Sequence, residues 1–166
     1  MRYPKLRELR EAIKALIQGP YTTRFPVAPH KPYKRFRGRP TPDDEWCVGC
    51  GACVEVCPAK AIELIDNPDA RERKIIWHYD RCIFCGQCEA NCLTEKGVKL
   101  SNEYDLAALD RKSLVSEQKK ELVLCECCGE IIGTREHLLW LVRKLGPLAY
   151  GNVALLLISG EAHAIK

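Results

Sequence analysis

The sequence predicts an α+β fold: a duplicated cysteine-rich core, an extended N-terminal arm and an α/β C-terminal extension. Three observations carry this expectation. Two runs of four cysteines, Cys47, Cys50, Cys53, Cys57 and Cys82, Cys85, Cys88, Cys92, share the spacing C-x2-C-x2-C-x3-C and lie 35 positions apart. The β-prone segments Ala61–Ile65, Lys74–Tyr79 and Val98–Leu100 fall between and after the runs, and the first two are joined by a turn containing Asn67-Pro68-Asp69. Helical periodicity appears near both ends, in residues 4–18 and in Leu138–Leu145.

In chain order, residues 1–19 form an amphipathic helix. Leu6, Leu9, Ile13, Leu16 and Ile17 recur at helical spacing among Arg7, Arg10, Glu11 and Lys14, and Gly19-Pro20 stops the run. Residues 20–42 are an extended basic arm. Pro20, Pro26, Pro29, Pro32, Pro40 and Pro42 prevent regular helix, and Tyr21, Phe25, Tyr33 and Phe36 distinguish the arm from a free linker. The core spans 43–101, with a short helix expected after the third cysteine of each run. Residues 102–166 are the extension. Within it, 102–124 read as a polar helix, Leu138–Leu145 as an amphipathic helix ended by Gly146-Pro147, and Val153–Ser159 as a final strand.

Charge and composition narrow the class. Residues 1–40 hold eleven Lys/Arg against two acids, and 41–166 hold fifteen against twenty. Residues 1–20 lack the apolar stretch of a secretory signal, so the eleven cysteines read as reduced thiols of a cytoplasmic protein, not as a disulfide scaffold. No apolar run approaches the roughly 18 residues of a membrane span, so any membrane association is peripheral. A basic arm could also bind nucleic acid, but nothing else in the chain points there, and no nucleic-acid partner is expected. No phosphate loop, nucleophile constellation or substrate pocket is legible, so no catalytic residue is assigned.

The cysteine runs carry the chemistry. Their spacing is that of bacterial two-cluster ferredoxins, in which the fourth cysteine of each run ligates the other run's cluster. Cys47, Cys50, Cys53 and Cys92 are therefore expected on one [4Fe–4S] cluster, and Cys82, Cys85, Cys88 and Cys57 on the other, in a pseudo-twofold duplicated core. Gly49, Gly51 and Gly86 permit the tight loops that three converging sulfurs require. Zinc sites instead pair C-x2-C units across longer spacers. Trp46 and Trp77 are expected to shield the clusters from water. Cys125-Glu126-Cys127-Cys128-Gly129 is half of a metal knuckle. Cys125 and Cys128 would be ligands there, with His137 the nearest further candidate, but buried inert cysteines are the default reading.

The second run and its continuation, Cys82-Ile83-Phe84-Cys85-Gly86-Gln87-Cys88-Glu89 through Lys99-Leu100-Ser101-Asn102-Glu103-Tyr104-Asp105-Leu106-Ala107, resemble the ferredoxin-like subunit of formate hydrogenlyase and related group 4 membrane-bound [NiFe] hydrogenases. Phe36-Arg37-Gly38-Arg39-Pro40 resembles the lead-in of the two-cluster subunit of respiratory complex I. The resemblance covers residues 20–128. It implies an electron-transfer subunit of a peripheral arm on the cytoplasmic side of the membrane, with small and large catalytic subunits as partners and soluble ferredoxin as donor. In archaeal relatives the terminal acceptor is a sulfur species. Some relatives complete the knuckle with a second C-x2-C, which this chain lacks. The other reading of the cysteine runs is a free soluble two-cluster ferredoxin.

Overall fold

The computed structural model describes residues 5–19 and 22–162, and the chain divides into two units, Met1–Arg35 and Phe36–Lys166. Pro20, Tyr21 and His163 lie outside the described residues.

In the first unit, α1 spans Leu6–Gln18. The Lys5 backbone N–H donates to the Glu8 carboxylate at 3.1 Å, which places an acid at the positive end of the helix. Gly19, at φ +79°, stops it and donates to the Ala15 carbonyl at 3.0 Å. None of the residues of α1 is buried: Leu6, Leu16 and Ile17 are 86 %, 85 % and 80 % exposed. The apolar stripe read from sequence exists, and within its own unit the described residues leave it exposed.

The second unit begins with a close backbone approach. Gly38 N–H bonds the Ser101 carbonyl and Arg39 N–H that of Glu103, both at 3.0 Å. A Cβ on Gly38 would fall 2.7 Å from the Ser101 carbonyl oxygen and closer still to that of Glu103, so only glycine fits. This approach leads into β1 (Pro40–Pro42), which pairs antiparallel with β4 (Val98–Leu100) in register Pro40↔Leu100. Prolines are tolerated here because the ribbon has only two strands.

The larger sheet is antiparallel, in the order β2 (Ile62–Asn67), β3 (Glu72–His78), β5 (Val115–Leu124) and β6 (Ile131–Thr134). Asn67 Oδ1 accepts the Ala70 N–H at 3.2 Å in the β2–β3 turn. Period-2 alternation sends Ile75 and Trp77 of β3 inward, where they meet Ile62, Tyr79, Cys88 and Val98. A second cluster joins α4 (Arg135–Leu145) to α5 (Val153–Ala162) through Leu138, Leu139, Val142, Ala149, Leu155 and Ile158.

Two readings of the extension are corrected. Residues 102–110 are irregular, and most of the expected polar helix over 102–124 is instead a single turn at Arg111–Ser113 followed by β5. The inward positions of β5 are Gln118, Lys120 and Leu122, so its alternation is strict while its hydrophobicity is not. Val153–Ser159 belongs to a helix, not a strand. Its run of apolar residues fits a helix that buries Leu155 and Ile158, three positions apart, on one face.

Candidate functional site

The 35-residue offset of the cysteines recurs in the backbone. Gly49 (φ +68°) corresponds to Phe84 (φ +53°), Gly51 to Gly86 (both φ +81°), and Lys60 (φ +47°) to Glu95 (φ +62°). Left-handed backbone at a phenylalanine is uncommon and is held only where the surroundings over-determine it. Gly51 and Gly86 open the one-turn helices α2 (Ala52–Glu55) and α3 (Gln87–Ala90). These helices contain the third cysteine of each run, Cys53 and Cys88, instead of following it. The fourth cysteines are tied alike: Cys57 N–H bonds Val54 O and Cys92 N–H bonds Glu89 O, each at 3.3 Å.

All eleven cysteines are free of disulfides. The eight in the two runs line two cavities. One is bounded by Cys57, Cys82, Cys85 and Cys88. The other is bounded by Cys47, Cys50, Cys53 and Cys92. In each, three sulfurs come from one run and the fourth from its twin. Trp77, 2 % exposed, lines both cavities, as expected of a shield. Trp46 does not fill that role. It is 46 % exposed, with the Lys96 ammonium 4.1 Å above its ring.

Burial dominates the acid–base character of these thiols. It pushes Cys53 up to about 12, with the neighbouring Cys47 and Cys50 adding to the rise. Burial likewise raises Cys88 to about 11, against the Glu89 N–H, and raises Cys82, against the Phe84 N–H. Cys47 is raised by burial too, but the Gly49 N–H and the Lys120 charge oppose the rise. Buried thiols in this condition become thiolates when a metal supplies the compensating positive charge.

The donor set fits two [4Fe–4S] clusters. Four soft thiols converge on each cavity, and backbone N–H groups already point at sulfur: Ala61 N to Cys57 Sγ at 3.3 Å and Phe84 N to Cys82 Sγ at 3.5 Å. The buried Nε1 of Trp77 has no hydrogen-bond partner among the described residues, and cluster sulfur is an acceptor that would satisfy it.

Behind the first run lies a polar brace that sequence reading missed. Arg73 Nη1 donates to Gly49 O at 2.9 Å and Lys120 Nζ to Asp44 O at 2.8 Å, and the Thr134 hydroxyl donates to Val48 O. Thr134 is 0 % exposed. Arg73 lies in β3 of the core and Lys120 and Thr134 in β5 and β6, so the extension supplies two of the three donors that hold backbone carbonyls at the first cysteine run. Strand alternation around Lys120 was the one available signal, and its polar character hid it.

The knuckle is a tight turn. Cys125 N–H bonds Glu130 O at 2.8 Å, Gly129 N–H bonds Cys125 O at 2.9 Å, and Gly129 sits at φ +74°. The Cys125 thiol is held below its ordinary value by the Cys128 N–H first, then by the Cys127 N–H and the Cys128 thiol. Cys127 and Cys128 are exposed. His137 lines an open groove with Cys50, Gly51 and Arg73, and burial together with the Arg73 charge lowers its pKa. Among the described residues, no group of three or more His, Cys, Asp or Glu side chains could hold a single metal ion. None of the described helices is long and apolar enough to cross a membrane.

Residues 46–96 match the family described as the 4Fe-4S dicluster domain. Formate hydrogenlyase subunit 6 of Escherichia coli is 31% identical over 126 residues, covering 75% of this chain and 69% of that one. NADH-quinone oxidoreductase subunit I 2 of Geobacter metallireducens is 30% identical over 127 residues, covering 72% and 96%. Among solved structures, a chain of the membrane-bound sulfane sulfur reductase, an archaeal respiratory membrane complex, aligns with a TM-score of 0.48 at 28% identity, over 69% of this chain and 61% of that one.

Proposed function

The chain belongs to the family of two-[4Fe–4S] electron-transfer subunits that includes formate hydrogenlyase subunit 6 and NADH-quinone oxidoreductase subunit I, and we propose that it is a fixed segment of the electron path in such a membrane-associated complex. It carries two [4Fe–4S] clusters, and its partners are other subunits of that complex. Cys47, Cys50, Cys53 and Cys92 ligate one cluster. Cys82, Cys85, Cys88 and Cys57 ligate the other. The observation that carries this reading is the division of the eight thiols, four and four, between two cavities that share Trp77. The repeated left-handed positions at the same offset support a pseudo-twofold duplicated core.

Electrons enter from a soluble donor such as ferredoxin and leave towards the cluster of a small catalytic subunit, itself bound to a large one, on the cytoplasmic side of the membrane. The chain has no active site of its own in this reading. Residues 1–19 and 20–42 dock on neighbours, 43–101 hold the clusters, and 102–166 brace the first cysteine loop. The apolar face of α1, exposed within its own unit, supports a docked subunit over a free soluble carrier. Cys125 and Cys128 would hold a metal only with ligands from a neighbouring subunit.

Cys57→Ser tests the assignment. The cluster held mainly by the second run should be damaged, with its paramagnetic signal lost or altered and the first run's cluster retained. Selective loss of the first run's cluster would overturn the cross-ligation. Anaerobic purification of the native complex tests the rest: co-elution with catalytic subunits is expected, and elution as a monomer would favour the free carrier.

A further inference from the structure

We propose that Lys120 is a positioning cation that ranks the two clusters, holding the one on Cys47, Cys50, Cys53 and Cys92 at the higher reduction potential, an inference that rests on the ligand assignment above. Reduction adds one electron, and so one negative charge, to a cluster, with no bond made and no proton moved in the protein. A fixed cation nearby, screened little by water, stabilises the reduced form and raises the potential.

Lys120 meets those conditions. Its side chain is 8% exposed, and its Nζ bonds the Asp44 carbonyl at 2.8 Å. The Asp44 carboxylate stands 3.9 Å away and is 80% exposed, so water weakens its neutralising effect. The lysine stem packs on the first cysteine loop: a Cβ on Gly49 would meet Lys120 Cγ at 3.0 Å.

Arg73, paired with Lys120 in the β3–β5 register, does not duplicate the role. The Asp66 carboxylate grips its guanidinium at 2.6 and 2.8 Å and balances its charge locally. At the second run the corresponding cation is Arg37, which donates to Cys85 O at 3.2 Å from an exposed position. The two clusters therefore sit in unlike fields although their ligand loops are alike. An electron arriving at the second run's cluster moves to the first run's cluster, beside the brace formed by the C-terminal extension.

The test is an anaerobic redox titration of the full chain carrying both clusters, reduced with dithionite and followed by electron paramagnetic resonance. Lys120→Met should shift one reduction step by about tenfold in its equilibrium constant, or about 59 mV towards lower potential. Lys120→Arg should leave that step in place, and Asp44→Asn should move it upward. Arg37→Met should move the other step, and by less. Unchanged midpoints in Lys120→Met would overturn the proposal, as would an equal shift of both steps or a shift of the step that Arg37→Met moves. Should Lys120→Met lose its clusters, Lys120→Gln, which keeps a donor near the Asp44 carbonyl without the charge, decides: a downward shift of the same step supports the ranking and no shift refutes it. Iron content showing fewer than two clusters in the unsubstituted chain would overturn the ligand assignment as well.

Discussion

Replacing Thr134 by valine asks whether the C-terminal extension is part of the first cluster's scaffold. Thr134 is 0 % exposed, and its hydroxyl donates to the Val48 carbonyl in the first cysteine loop. Valine keeps the shape and the methyl group facing Gly49 but removes the donor. The substitution loses a hydrogen bond of about 1 kcal/mol net and removes the hydroxyl partner of a carbonyl, for which the cost is about 1–3 kcal/mol. A total of about 2 kcal/mol in a chain of 166 residues corresponds to a fall in melting temperature of about 4–8 °C. Thr134→Ser keeps the hydroxyl and loses one buried methyl group, so it should cost about half as much. The assay is anaerobic thermal unfolding of the cluster-loaded chain, followed by circular dichroism and by visible absorbance of the clusters. Absorbance should be lost at a lower temperature in Thr134→Val than in Thr134→Ser. Equal melting of Thr134→Val and the unsubstituted chain would refute the reasoning, and so would a larger loss in Thr134→Ser.

Two further outcomes are expected. Trp77→Phe keeps an aromatic wall between the cavities but removes the unpartnered indole N–H, so iron content should hold while at least one midpoint falls by about 1 kcal/mol, or about 40 mV for a one-electron couple; unchanged midpoints in a redox titration would mean that the N–H bonds no cluster sulfur. The Cys125 thiol lies below its ordinary value, so its reactive thiolate persists to lower pH, and iodoacetamide should label Cys125 with a midpoint below the usual thiol range of about 8.5. Peptide mass spectrometry at stepped pH checks this, and a midpoint at or above that range contradicts it.

The legible parts of the structure are those in which residue type and spacing alone state the requirement. Strands β2, β3 and β4 lie within two residues of the segments read from β-prone composition, and α1 and α4 follow their apolar stripes. The extension was less legible because its inward positions break the usual code. Gln118 and Lys120 are both buried in β5, where Lys120 reaches the Asp44 carbonyl just before the first cysteine run, and no local pattern announces a partner 76 residues away. Val153–Ala162 misled for the opposite reason: a short run of apolar residues fits a strand or a buried helix equally well. Trp46 and Trp77 look alike beside cysteines in sequence. The register Ile62↔Trp77 draws one of them between the cavities and leaves the other half in water.

The sequence by itself determined the cysteine chemistry. Eight thiols at a repeated spacing require two clusters because the loop geometry that gathers three sulfurs is local and is written in glycines and intervals. The spacing also assigned each fourth cysteine to the other run's cluster. Trp77 as the common wall of the two cavities and the support of one cysteine loop by Arg73, Lys120 and Thr134 were decided by tertiary structure. Each depends on contacts between strands distant in the chain, and two nearly identical ligand loops come to occupy unlike electrostatic surroundings.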